Sequence, residues 1–193
     1  MSRPALNHLS AAAVVCALAA GSCATLAQTT TAPSPAIASA SAARADPLAR
    51  GDRKFVEEAA QGGMAEVEHG KLAAQRATNA QVKQFAERMV QDHGKANDEL
   101  KTIAGARGIT PPTTVERKHH REMEKLAKLK GADFDRAYVA QEVAYHQSVI
   151  DALDKTLVPN AKNAELKALL VKVRPAFVAH LEHARSLQGK LGK

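Results

Sequence analysis

Eight histidines and twenty Asp or Glu residues carry whatever chemistry this 193-residue chain performs. Its two cysteines, Cys16 and Cys23, both precede residue 30. The remainder therefore has no thiolate metal site, disulfide framework or cysteine nucleophile. Three histidines fall where a soluble protein ordinarily keeps apolar side chains. In Leu166, Leu170, Val173, Phe177, His180, Ala184 and Leu187 the spacing is 4, 3, 4, 3, 4, 3, so His180 stands inside an apolar helical seam. Phe85, Met89, His93, Ala96, Leu100 and Ile103 form a second seam, with Asp92 beside its histidine. In a third, Tyr138, Glu142, His146, Val149 and Leu153 share a face, which sets Glu142 and His146 one turn apart. The fourth, Phe55, Ala59, Gly62, Glu66 and Ala73, is a stripe of small residues around one carboxylate, with Glu68 and His69 rotated off it.

A carboxylate or imidazole in a core costs several kcal/mol, roughly, unless it is paired. Four core stripes each carrying such a group invite a common cause. Glu66, His93, Glu142, His146 and His180, with Asp92 as a secondary member, would make a site for a divalent transition metal such as Zn²⁺, manganese or non-haem iron. The competing reading needs no metal: Glu142 pairs with His146 and Glu66 with His93, a buried polar network that fixes helix register. His69, His119, His120 and His183 read as partly exposed surface residues, and Tyr138 and Tyr145 as packing residues at the core's edge.

These stripes need long helices to hold them, and the composition agrees. Aromatic residues make up 3% of the chain and Trp is absent, which argues against a β-sandwich or barrel. Period-3.6 patterning predicts five helical segments. The first covers about 52–77. The second follows at once, capped by Asn79 and stopped by Gly108. After Pro111-Pro112, Thr113-x-x-Glu116 has the form of a capping box opening a shorter segment to about Lys130, stopped by Gly131. Asp133 is the expected cap of a fourth segment reaching Leu157. Asn163 is that of a last one to about Gln188, bent at Pro175. Four helices of about 25 residues, each about 37 Å long, with a short helix in a crossover, give an all-α, ferritin-like four-helix bundle over residues 52–189. A simple up-down bundle with a fifth packing helix is the alternative; Met123, Leu126 and Leu129 give the short segment only a narrow apolar strip.

Residues 1–27 read as a signal peptide: Arg3, then an apolar run from Leu9 to Ala20. That run covers about 18 Å, short of the ~30 Å of a bilayer core. Cleavage after Ala27 would release a soluble protein, whereas Ala20-Gly21-Ser22-Cys23 has the form of a lipobox that would leave Cys23 acylated. Both place the mature chain outside the cytoplasm, in the periplasm or anchored at the outer membrane, with residues 28–51 as a disordered Ala/Ser/Thr/Pro-rich linker and no transmembrane helix. The formal charge of +7 is spread out and lacks interleaved aromatics. Nucleic acid is therefore not an expected partner, an anionic envelope surface is, and a homodimer is compatible with the pattern. Peroxide or oxygen chemistry would need an open coordination position and a channel, neither of which the sequence displays. A non-enzymatic envelope stress or interaction module, its polar core structural, is the alternative to a metal-binding protein.

The run Phe55-Val56-x-x-Ala59-Ala60-x-Gly62-Gly63-Met64-Ala65-Glu66-Val67-Glu68, then Phe85-Ala86-x-x-Met89-Val90-x-Asp92-His93, Phe134-Asp135-x-x-Tyr138 with His146, and Pro175 with His180-Leu181 resembles a family of bacterial exported ferritin-like domains of unknown function, often labelled membrane or outer-membrane proteins. The resemblance covers about residues 53–187. It implies a ferritin-like fold, places the family's recurrent polar positions on Glu66, Asp92, His93, His146 and His180, and supplies no activity. The di-iron pattern of ferritins, Glu-x-x-His on two helices, is absent. Val90 stands three before His93, and Glu142 four before His146, so a mononuclear or nitrogen-rich site is expected in place of a ferroxidase centre.

Overall fold

The computed structural model describes residues 48–192. The expected signal peptide, its Cys23 and the linker up to residue 47 lie outside them. Four long helices and a short one account for the described residues, with no strand among them: α1 (Arg50–Arg76), α2 (Ala80–Gly105), α3 (Arg117–Ala127), α4 (Gly131–Ala152) and α5 (Ala164–Leu191). Beyond α4 the chain widens into a π-helical turn, Leu153–Leu157, and a last helical turn, Val158–Asn160, so Pro159 marks the end of this helical run. Within α5 the helix continues on both sides of Pro175. The first helix starts inside the segment expected as linker, and Leu48 before it is buried against Val56, Leu100 and Leu166.

Helix starts follow local chemistry where a cap is available. The Asn79 side chain accepts from the Gln81 and Val82 amides, and that of Asn163 from the Leu166 amide at 2.9 Å, each satisfying donors that a helix leaves free. Two expected caps fail. Helix α3 begins at Arg117 with no side-chain cap, so Thr113-x-x-Glu116 is not a capping box. The Gln61 side chain on α1 instead accepts from the Glu116 amide at 2.8 Å and donates to the Thr114 carbonyl at 3.0 Å, satisfying the loop from outside. Helix α4 begins at Gly131, and Asp133 lies in its first turn, paired with Arg136. Gly108 and Gly131 both take positive φ, +69° and +57°, the left-handed turn that glycine adopts without steric cost.

Packing fixes the topology. One apolar cluster gathers the end of α1 (Ala73, Ala77), the start of α2 (Val82, Phe85, Met89), the start of α4 (Phe134, Tyr138, Val139) and the end of α5 (Ala184, Leu187). A second gathers the start of α1 (Val56, Ala60), the end of α2 (Leu100, Ala104) and the start of α5 (Leu166, Leu169). Hence α1 and α2 form one antiparallel hairpin and α4 and α5 another. The connection through α3 must therefore return along the length of the bundle. A buried carboxylate clamps each hairpin turn. Asp135 on α4 accepts from the Thr78 amide and hydroxyl and the Asn79 amide at 2.6–3.2 Å, and Asp52 on α1 accepts from the Lys162 and Asn163 amides at 3.2 and 2.8 Å. Between the two apolar clusters the bundle is polar.

Candidate metal centre

That middle layer is made by one or two residues from each long helix: Glu66 of α1, His93 of α2, Glu142 and His146 of α4 and His180 of α5, all at most 3% exposed. Small residues let the backbones close around them. A Cβ on Gly63 would collide with the Asn97 side chain, and one on Gly70 would lie 3.0 Å from the Ala86 carbonyl oxygen. The α1–α2 hairpin is thus tight on both sides of Glu66, which sits at the height of His93.

The three imidazoles face one another, with ring centroids 5.6 Å (His93–His146), 5.8 Å (His93–His180) and 5.3 Å (His146–His180) apart. Phe177 packs on His93 and His146 at 5.3 and 5.4 Å, and Tyr145 on the same two rings from another side. Two ligand-like triads result, each offering one atom per residue with all three atoms within 4.8 Å of one another: His93, His146 and His180, and Glu66, Glu142 and His146. His146 belongs to both.

Hydrogen bonds select which nitrogens are free. His146 Nδ1 lies 2.9 Å from the Glu142 carbonyl oxygen, to which it donates, leaving Nε2 as the lone-pair nitrogen. His180 Nε2 lies 3.0 Å from Asp92 Oδ2, and Arg88 holds the same oxygen at 3.2 Å. That leaves His180 Nδ1 facing inward. His93 Nε2, His146 Nε2, His180 Nδ1, Glu66 Oε2 and both Glu142 oxygens are buried without any hydrogen-bond partner. A proton shared between Glu66 and Glu142 would pair the two carboxyls, but buried polar atoms of native proteins are nearly always paired, so the three imidazole nitrogens still require a cause. Asp92 is placed behind His180 and outside both triads.

Burial sets the protonation. It depresses His93 to about 3, helped by the neighbouring imidazoles, and His146 to about 4, against its bond to the Glu142 carbonyl. It also lowers His180, with Asp92 opposing. All three are therefore neutral at pH 7, as metal ligands must be. Burial likewise raises Glu66 far above the carboxylate range and raises Glu142, the two being close enough to share a proton. Tyr138 lies near Glu142 and favours its ionised form, yet its hydroxyl makes no hydrogen bond of proper geometry.

One histidine departs from expectation. His69, read as surface, is 2% exposed beneath α3, its Nδ1 3.0 Å from Gln141 Nε2 on α4. It points away from the α1–α2 seam, so the α1 stripe alone could not place it. The signal lay in the apolar strip of α3, whose Leu126 is buried and which therefore covers the flank of α1 and α4. His120 and His183 are exposed and His119 half-buried, as a surface reading requires.

The profile of a domain of unknown function, DUF4142, matches residues 37–187. The chain belongs to the DUF4142 family. Among solved structures, the DUF305 fragment from Deinococcus radiodurans superposes with a TM-score of 0.64 at 17% identity, over 76% of this chain and 99% of that one. CopM in its Cu(II)-bound form superposes with a TM-score of 0.61 at 19% identity, over 72% and 96%. At such identity these likenesses speak for the fold alone. No curated protein matches the chain in sequence. Among the described residues of this DUF4142 protein, no helix is long and apolar enough to cross a membrane.

Proposed function

We propose that this protein is a ferritin-like bundle that binds one divalent transition-metal ion in its polar layer through His93, His146 and His180. Glu66 and Glu142 form an adjoining oxygen-rich position that shares His146. The observation that carries this reading is that His93, His146 and His180 each bring a ring nitrogen within 4.8 Å of the others and that His93 Nε2, His146 Nε2 and His180 Nδ1 are buried and unpartnered, while the other nitrogens of His146 and His180 are held by the Glu142 carbonyl and by Asp92. A histidine locked from behind with its lone pair facing inward is how proteins orient metal ligands. The up-down-down-up order, with a long crossover, supports the ferritin-like assignment.

The donor set points to the class of ion. Three neutral imidazoles suit Zn²⁺ or Cu²⁺ better than Mg²⁺ or Ca²⁺, which prefer oxygen. Manganese or iron would draw on the carboxylates. CopM, similar in fold, was solved in a Cu(II)-bound form, which makes copper an ion to test beside zinc. A purely structural network accounts for part of the layer, since Glu142 Oε2 lies 3.5 Å from His146 Nδ1, but it leaves His93 Nε2, His146 Nε2 and His180 Nδ1 unpaired.

Untagged protein titrated calorimetrically with Zn²⁺ and with Cu²⁺ should bind one equivalent, and His93→Ala/His180→Ala should lose binding by at least a hundredfold. Saturating metal at about 100 times Kd should stabilise the wild type by about 2.7 kcal/mol and leave the double variant unmoved. Equal, substoichiometric binding by both proteins sinks the proposal.

A further inference from the structure

A buried site needs a way in, and two cavities reach the polar layer. One, of about 420 Å³, reaches His93 between Phe55, Leu100 and Phe177, with Glu58, Asn97 and Glu116 also on its walls. The other, of about 550 Å³, opens beneath α3; its walls carry His69, His119 and Glu122, and Glu66 lies within it. Lys118, His119, Tyr145, Ser148 and Val149 line both, so the two share a mouth. Both mix apolar and polar residues, and one group tells them apart for an ion. A hydrated divalent cation gives up water only where other oxygens or nitrogens replace it, and of the two cavities only the one beneath α3 is bordered by a buried carboxylate, Glu66, whereas Glu58 and Glu116 on the other are exposed.

Beneath α3 the donors form a series. His119 Nδ1 stands 3.4 Å from Glu122 Oε2 near the surface. His69 lies deeper, close to the His119 backbone, with Nδ1 against the Gln141 amide and Nε2 without a hydrogen bond of proper geometry. Glu66 comes last. Its Oε2 is buried without a partner, and it is the member of the Glu66–Glu142–His146 triad that also borders the cavity. We propose that the cavity beneath α3 is the path by which a divalent cation reaches the bundle core, passed from His119 and Glu122 by way of His69 to Glu66, and from there through His146 to the three-histidine position. This inference rests on the metal-binding reading above. It adds a role for four polar groups that the three-histidine site leaves unused. Lys118 and Lys125 also line this cavity. Both are exposed, so they act as an electrostatic brake at the mouth and do not plug it.

Residues on a path that are not ligands change the rates of loading and release together and leave the equilibrium constant in place. Stopped-flow loading with Co²⁺, followed by the visible absorption of the bound ion, separates these quantities in the full chain. His119→Ala/Glu122→Gln should slow loading at least fivefold, slow chelator-driven release by a similar factor and keep Kd within about twofold. Ala144→Phe, which narrows the cavity from an exposed position, should do the same. Lys125→Glu should accelerate loading, most at low salt, and a gain of rate cannot come from misfolding. Ala96→Phe, which fills the other cavity, should change neither rate. Wild-type kinetics in the first three variants, or slowing by Ala96→Phe alone, overturns the path. A Kd that weakens with unchanged release overturns it too, since the residues would then be ligands. Failure of the wild type to bind Co²⁺, Zn²⁺ or Cu²⁺ at all strikes the underlying site and not the route.

Discussion

Asp92 shows how much a residue outside the ligand set can matter. Partial burial pushes its carboxylate up, but hydrogen bonds from His180 and Arg88 outweigh it and hold the group below its ordinary range. Its job in the proposed site is to fix which nitrogen of His180 carries the proton. Asn in its place keeps the size but can present an amide N–H, leaving the tautomer of His180 unset. Asp92→Asn should therefore weaken Zn²⁺ binding by about 10–100-fold while moving the metal-free melting temperature little, because the pair is partly solvated and adds little stability. Calorimetric titration beside a melt without metal checks both halves, and an unchanged affinity would remove Asp92 from the site. Gly70 is constrained more bluntly. A Cβ there would meet Val90 Cγ2 at 2.9 Å and the Ala86 carbonyl oxygen at 3.0 Å, so α1 and α2 must separate. Gly70→Ala should cost about 1–3 kcal/mol in denaturant unfolding, despite alanine's better helix propensity.

Among the elements, the hairpin turns carry long-range clamps that local patterning does not reveal. Asp135 receives three different donors from the α1–α2 turn. Asp135→Ala would leave the Thr78 and Asn79 amides without their acceptor, and urea unfolding should show a loss of about 2–4 kcal/mol. Asn79→Ala, a purely local cap, should lose about 1 kcal/mol. Equal losses would mean that the clamp adds nothing beyond capping. The same distinction explains what the sequence made legible. Asn79 and Asn163 were readable as caps because each bonds amides two or three residues ahead. The starts of α3 and α4 were not, because Glu116 is satisfied by Gln61, 55 residues away, and Gly131 opens α4 with no side-chain cap. The seams holding His93, His146 and His180 were readable because a polar residue at an apolar period stands out. His69 was not, since its cover comes from α3 and its partner Gln141 from α4.

For the whole molecule, the polar layer is a store of protons whose sign differs between its two halves. His93 and His146, depressed to about 3 and about 4, and His180, also depressed, stay neutral in the fold but take up protons near 6.5 when unfolded. The unfolded chain then binds more protons, so stability falls as pH drops from about 6.5 towards 4. At pH 5 the cost is about 2 kcal/mol for each of His93 and His146. Glu66 and Glu142 act oppositely. Their raised affinity for protons means that the fold holds protons which the unfolded chain releases above about 4.5, so stability also falls as pH rises beyond that range. With three imidazoles on one limb and two carboxyls on the other, metal-free protein in EDTA should melt highest at about pH 6 and lower on either side. Glu66→Gln keeps the volume and removes a titrating group, so it should flatten the alkaline limb alone. Bound Zn²⁺ should flatten that limb as well, since a cation stabilises ionised carboxylates. It should steepen the acid limb, where protons compete for the imidazoles. Melting temperatures from pH 4 to 9 for wild type and Glu66→Gln, with and without Zn²⁺, test each limb separately. A wild type whose midpoint is level from pH 6 to 9 would show that Glu66 and Glu142 hold no proton in the fold, and a level acid limb would show the same of the neutral histidines.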